Sequence, residues 1–194
     1  MIADHDRSGW IGASDVQYVI GNWKTKTWEQ WWMTKLGISR KHIETESTKA
    51  GTNWEHKILD SLGIPNLEKD KQILLPDIRL RVNLDGNTAG RIYESKTYKV
   101  GGTSATVKQL EQSICPQGYK NQVQVQMYAS RIYGADLVVY GLLQEDYNNY
   151  LRAVDPGRRK LIPITYDPNW IENVYLPKHR ILAEALVRGA FPYV

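Results

Sequence analysis

The stretch Leu80-Arg-Val-Asn-Leu-Asp85-Gly-Asn-Thr-Ala-Gly-Arg-Ile-Tyr-Glu94-Ser-Lys96 decides how this chain is read. Apolar Leu80, Val82 and Leu84 alternate with polar neighbours, the pattern of a half-buried strand. Gly86, Asn87 and Gly90 supply turn chemistry before a second β-prone run. Side chains two apart on a strand share a face, so Glu94 and Lys96 project together. If the two strands pair, Asp85 meets them across the hairpin. Two carboxylates beside one ammonium on a sheet surface make a hard-cation site, an arrangement suited to phosphodiester cleavage.

Magnesium prefers oxygen ligands in octahedral geometry and keeps several waters, so Asp85, Glu94 and the backbone carbonyl of Ser95 suffice as its protein ligands. Such an ion polarises a phosphate and lowers the pKa of a bound water. Lys96 would then orient that water or offset charge on the phosphoryl oxygens. A Glu-x-Lys triplet standing alone is better explained as surface ion pairing. Pro76-Asp77 supplies a rival first acid upstream of the same triplet. Asp85 ranks above it because it borders the hairpin turn.

The length of 194 residues fits one domain, 1–194, with a single substantial core. Apolar content of 42% and charged content of 24% place it among ordinary globular chains. No apolar run approaches the roughly 20 residues of a membrane helix, and the polar N-terminus has no signal-peptide pattern. The one cysteine, Cys115, excludes an internal disulfide and a Cys-rich metal site, so a reducing bacterial cytoplasm is the expected compartment. Net charge of +4 permits a nucleic-acid partner without establishing one. The tight basic run Arg158-Arg159-Lys160 reads as a solvated loop or a phosphate contact. His5, His42, His56 and His179 lack zinc-site spacing. There is no GxxxxGK[ST] loop and no GxSxG elbow.

Along the chain, Ser14 is expected to cap a short helix ending near Gly21, and Thr27 to start a second one through Leu36. That second helix carries Trp28, Trp31 and Trp32, which with Trp23 read as core packing. A third helix is expected from Ser47 to Leu62, with Trp54, Ile58 and Leu62 as its apolar stripe and Glu55 at the border. Ile73-Leu74-Leu75 leads into the hairpin. The segment from Gly101 to Gly118 reads as loop and short helix. Asn121 to Met127 alternates like a strand, yet the stretch continuing to Ile132 is too long for one, which favours helix. Further strands are expected at Leu137–Leu143 and Leu161–Thr165, and a closing helix from Pro168 to Val187, interrupted at Pro177. The order implies a mixed α/β core with a small sheet.

Four separated segments together resemble the phage lambda exonuclease and YqaJ-type viral recombinase nucleases of the PD-(D/E)xK superfamily. They are Arg7-Ser-Gly-Trp-Ile-Gly-Ala-Ser14, Gly51-Thr-Asn-Trp-Glu55, Asp85 with Glu94-Ser-Lys96, and Tyr119-Lys-Asn-Gln122-Val-Gln124, in the family's order. The likeness covers about residues 7 to 143. One departure is that Leu84, not proline, precedes the first acid.

The resemblance implies a restriction-endonuclease-like core, a small mixed central sheet flanked by helices. It implies that Asp85 and Glu94 bind Mg2+ with the Ser95 carbonyl, Mn2+ substituting, and that Lys96 holds or activates the attacking water. Glu55 would serve a second metal or position the water, and Gln122 would order the site. Arg7 and Ser14 would grip a DNA phosphate, a sensible anion pocket at a helix start. The implied activity is a processive 5′→3′ exonuclease on double-stranded DNA ends, working in phage or mobile-element recombination beside a single-strand-annealing protein. A homotrimeric ring is the implied assembly. A PD-(D/E)xK endonuclease of restriction or junction-resolving type, or a DNA-binding protein of the same fold without turnover, is the alternative.

Overall fold

A computed structural model of the chain describes residues 8–39 and 45–192. The alternation from Leu80 onward forms one strand, β3 (Leu80–Asn87), whose Leu80, Val82 and Leu84 are fully buried. Around it are β1 (Ile11–Gly12), β2 (Glu68–Leu75), β4 (Ile92–Lys99), β5 (Gly134–Leu142) and β6 (Arg159–Thr165). Among the described residues they make one six-stranded mixed sheet, ordered β1-β3-β4-β5-β6 with β2 also on β3.

β2 runs antiparallel along the whole of β3, from Glu68↔Asn87 to Leu75↔Leu80. A strand has two hydrogen-bonding edges, so the remaining edge of β3 is shared. β1 pairs in parallel with its first two residues, Leu80 and Arg81, and β4 antiparallel with its last two, Gly86 and Asn87. Between them, Val82 to Asp85 have no registered partner on that edge, and the sheet forks. β4 then pairs in parallel with β5 over its full length, and β5 antiparallel with β6.

The helices are α1 (Val16–Ile20), α2 (Lys26–Lys35), α3 (Glu46–Asp60), α4 (Ala105–Glu111), α5 (Gln117–Ser130), α6 (Pro168–Trp170) and α7 (Leu176–Val187). One apolar cluster joins Leu80, Val82 and Ile92 to Val123 and Met127 of α5, Trp32 of α2 and Leu182 of α7. A second joins Ala50, Trp54 and Ile58 of α3 to Tyr93, Val138 and Tyr140. Ile92 and Tyr93 thus face opposite layers, as alternation on β4 requires. Trp28, Trp31, Trp32 and Trp54 are core packing with paired N–H groups. Trp31 donates to Asp15 Oδ1 at 2.9 Å, Trp32 to the Ala190 carbonyl at 3.1 Å and Trp54 to the Asp146 carbonyl at 3.0 Å.

Several boundaries differ from the sequence reading for identifiable reasons. Thr25 and Thr45, not Thr27 and Ser47, cap α2 and α3, accepting the amides of Trp28 and Thr48 at 3.1 Å each. Ser14 caps nothing; Asp15 Oδ2 accepts the Gly12 amide at 2.7 Å at that helix start. β2 begins at Glu68, in a charged run that does not alternate cleanly. Gly86 and Asn87 lie inside β3, and the turn closes at Thr88, whose amide reaches the Arg91 carbonyl at 2.8 Å. A Cβ at 86 would press on the side chains of Leu67 at 3.3 Å and Leu59 at 3.4 Å, which glycine lets pack against the strand without shifting.

Asn121 to Met127 lies within helix α5, as its length requires. The closing helical segment is interrupted by a π-helical turn, Ile171–Tyr175, just before Pro177. Proline has no N–H for the i−4 carbonyl, and a wider turn accommodates that loss. The basic run is tied to the protein. Arg158 pairs with Asp146, Arg159 donates to the Ser61 carbonyl, and Lys160 donates to the Glu111 carbonyl at 2.5 Å. Among the described residues, no helix is long and apolar enough to cross a membrane.

Candidate active site

The fork in the sheet places the charged residues. Where β3 and β4 part, the Ser95 amide donates to Asp85 Oδ2 at 2.8 Å, so a side-chain carboxylate stands where a ladder carbonyl otherwise would. A cavity of about 310 Å³ opens at this point, with Ser14, Glu55, Asp85, Glu94, Lys96 and Gln122 in its lining. Glu94 and Lys96 share the face of β4 that turns toward α5, and they form an ion pair. Gly51, one turn before Glu55, faces β4, where a Cβ would stand 3.4 Å from Thr97 Oγ1.

Glu94 is only 1% exposed, so its carboxylate depends on protein donors. Its Oε1 accepts from Lys96 and from Gln122 Nε2, the latter at 2.6 Å. Its Oε2 accepts from Gln126 Nε2 at 2.6 Å, and the same amide reaches the Asn83 carbonyl at 3.1 Å. The Lys96 ammonium also lies 5.5 Å from the centre of the Tyr119 ring.

Carboxylates crowd together around Lys96. Burial pushes the Asp85 carboxyl well above the usual range, and Glu94 and Glu55 add to this against Lys96 and the Ser95 amide. Burial also raises Glu55, again with Glu94 acting in the same direction and with His56 and Lys96 opposing. For Lys96 burial alone would lower the pKa, but Glu94 and Asp85 outweigh it and hold the amine protonated. Asp85, Glu94 and Glu55 thus act together on Lys96, and their carboxylate oxygens are a donor set that fits a divalent cation held by oxygen.

Asp85, Glu94, Ser95, Lys96, Glu55 and Gln122 are thus gathered at one place. Asp77 is exposed on the 3-10 turn Pro76–Ile78 and outside the cavity lining. Asp85 does not border the hairpin turn; it stands within β3, at the fork. Ser14 is exposed on the cavity rim, in the 3-10 turn Ala13–Asp15, and Arg7 lies outside the described residues. Gln124 points elsewhere, bracing Thr165 and Asp167 at 2.8 and 2.7 Å. Sequence reading missed Gln126, although it follows Gln122 by one helical turn on the same face. It also missed Arg81 and Asn83, which share the cavity with Asp85 at the two-residue period of β3.

The alkaline exonuclease LHK-Exo from Laribacter hongkongensis shares the fold with a TM-score of 0.71 at 18% identity, over 94% of this chain and 90% of that one. A phage related exonuclease from Haemophilus somnus 129PT gives a TM-score of 0.65 at 14% identity, over 92% of this chain and 95% of that one. No curated protein matches the sequence. The family model of the YqaJ-like viral recombinase domain matches residues 4–132, a span that holds all four sequence segments and the whole cavity lining. The chain belongs to the family of YqaJ-like viral recombinase domains.

Proposed function

We propose that this chain is a nuclease, and more narrowly a magnesium-dependent deoxyribonuclease that degrades double-stranded DNA processively from 5′ ends during phage or mobile-element recombination. The observation that carries the reading is the convergence of Asp85, Glu94 and Lys96 on one cavity at the fork of the sheet. Membership of the viral recombinase family supports it, as does a fold shared with exonucleases. LHK-Exo has also been solved in complex with dAMP; that structure matches with a TM-score of 0.73 at 18% identity, over 95% of this chain and 91% of that one.

Asp85, Glu94 and the Ser95 carbonyl would hold Mg2+. In an extended strand the carbonyl of a residue points to the same side as its amide, and the Ser95 amide points at Asp85. The ion, when bound, supplies Lewis-acid polarisation of the scissile phosphate. The protein's own residues do the rest. Lys96, held on Glu94, offsets negative charge as it builds on the phosphoryl oxygens. Gln122 and Gln126 grip both oxygens of Glu94 and fix its carboxylate plane. Glu55 orients the attacking water for in-line displacement. Ser14, with Arg7, binds the terminal phosphate that selects an end.

The test is digestion of end-labelled linear duplex against a closed circle, with and without Mg2+. Linear DNA should be lost only with Mg2+, faster from 5′-phosphorylated ends, and the circle should survive. Cutting of the circle would instead support an endonuclease, and an inert linear duplex would overturn the nuclease reading.

A further inference from the structure

Six of the seven tryptophans serve the interior. Trp23, Trp28, Trp31, Trp32, Trp54 and Trp170 each pack in or against an apolar cluster and meet another aromatic ring. Trp10 does neither. It belongs to no apolar cluster, and among the described residues its ring meets no other ring and its N–H has no acceptor. It is half-buried, and it lines the cavity that holds Asp85, Glu94 and Lys96.

The backbone fixes that placement. On one side of Trp10 the Gly9 amide donates to the Lys35 carbonyl at 2.8 Å, and on the other the Ile11 amide donates to the Arg79 carbonyl at 2.9 Å. Ile11 is fully buried in the core, and neighbours in an extended segment point to opposite sides. Trp10 is therefore turned from the core toward the cavity, and Gly12, two residues on, lines the same space. Gly12 and Ala13 carry little bulk, so this part of the lining leaves room beside the indole.

We propose that Trp10 is a stacking surface for one nucleobase, that of the nucleotide at a DNA end whose phosphates meet Ser14 on one side and the Asp85–Glu94 pair on the other. Every base has a π face, so stacking on an indole tolerates any sequence, as an enzyme that degrades DNA end to end requires. The cavity of about 310 Å³ lies at the lower end of small-ligand sites, the scale of one nucleotide unpaired from its complement. Stacking on Trp10 offsets the cost of taking that base out of the duplex. In this segment the family resemblance assigns Arg7 and Ser14 and gives Trp10 no role. That the base belongs to a DNA end rests on the nuclease reading; that Trp10 takes a planar aromatic group does not.

Fluorescence anisotropy in metal-free buffer tests this with the full chain and a hairpin duplex, dye-labelled in its loop, that has one open 5′-phosphorylated end. The terminal nucleotide at that end is either intact or abasic. The parent should bind the intact end about 5–100-fold more tightly than the abasic one. Trp10→Ala should lose that margin while binding the abasic end as the parent does, and Trp10→Phe should keep most of it. A parent that binds both ends equally, or a margin that survives in Trp10→Ala, would overturn the subsite and leave Trp10 a part of the cavity wall only. If the parent shows the margin yet leaves linear duplex intact when Mg2+ is supplied, the nuclease reading fails while the stacking subsite stands.

Discussion

Asp85 holds the amide of Ser95 at 2.8 Å across the mouth of the sheet's fork. This contact makes the site a product of topology. Because β1 and β4 share one edge of β3, the middle of that edge is left to side chains, and a carboxylate fills it. The same feature that interrupts the ladder therefore holds one acid beside Glu94 and Lys96.

Asp85→Asn keeps an acceptor for the Ser95 amide but removes the charge. Mg2+-dependent release of nucleotides from linear duplex should fall by about a thousandfold or more. Without metal the variant should be more stable than the parent, because a carboxyl pushed up by burial and by Glu94 has been neutralised. The midpoint should rise by roughly 2–4 °C for each kcal/mol relieved. Asp77→Asn, exposed and outside the cavity, should change neither quantity. Equal activity loss in both variants would mean that Asp85 has no special place.

Lys96→Ala removes the ammonium that pairs with Glu94 and lowers the pKa of Asp85 and Glu55. Degradation of linear duplex should be abolished while circular dichroism shows a folded protein. The melting temperature should drop in metal-free buffer and recover with Mg2+ by more than the parent gains, since a cation then replaces the lost charge. Full activity in Lys96→Ala would take this residue out of the chemistry.

Gln122 and Gln126 act on the same carboxylate from consecutive turns of α5. Each alanine substitution should lower kcat about 10–100-fold with little change in KM, the size expected for groups that orient a ligand. The double variant should lose less than the product of the two, because one free Glu94 oxygen already releases the carboxylate. Strictly multiplicative losses would show that the two amides serve separate ends.

How much of this was legible in the sequence depended on distance along the chain. Asp85, Glu94 and Lys96 lie within one hairpin, so a two-residue period and a turn were enough to bring them together. Helix α5 was legible because Asn121 to Ile132 outruns a strand. Glu55 reaches the site on a helix remote in sequence, and only family resemblance pointed to it. The start of β2 was hidden because Glu68 to Gln72 are charged or polar and partly exposed on both faces. Gly86 and Asn87 look like a turn by composition, but they extend β3, where Leu59 and Leu67, remote in sequence, pack against the glycine. Gln126 was missed for another reason: nothing in a helical amide reveals which carboxylate it will meet.

His179 offers a test of the fold that is independent of the site. It is fully buried on α7, with Nδ1 2.9 Å from the Tyr175 hydroxyl and Nε2 2.8 Å from the Ile78 carbonyl. The Ile78 carbonyl, just before β3 begins, accepts from Nε2–H, and a neutral ring then leaves Nδ1 to accept from the Tyr175 hydroxyl. Burial lowers its pKa to about 4, against the opposing pull of the Ile78 carbonyl and Asp15. In the unfolded chain a histidine titrates near 6.5. Between those values the unfolded state binds a proton that the folded state refuses. The stabilising contribution is therefore complete above about pH 6.5 and is lost as pH falls toward 4. The full loss amounts to about 3 kcal/mol at 1.36 kcal/mol per pKa unit. His179→Gln keeps an amide donor for Ile78 but cannot titrate. Raised acids such as Asp85 and Glu55 push stability the other way in both proteins, so they cancel in the difference. Urea unfolding across pH 4–7 should show the parent losing stability relative to His179→Gln as pH falls, with the gap closing above about pH 6.5. Parallel curves for the two proteins would show that His179 is not held neutral.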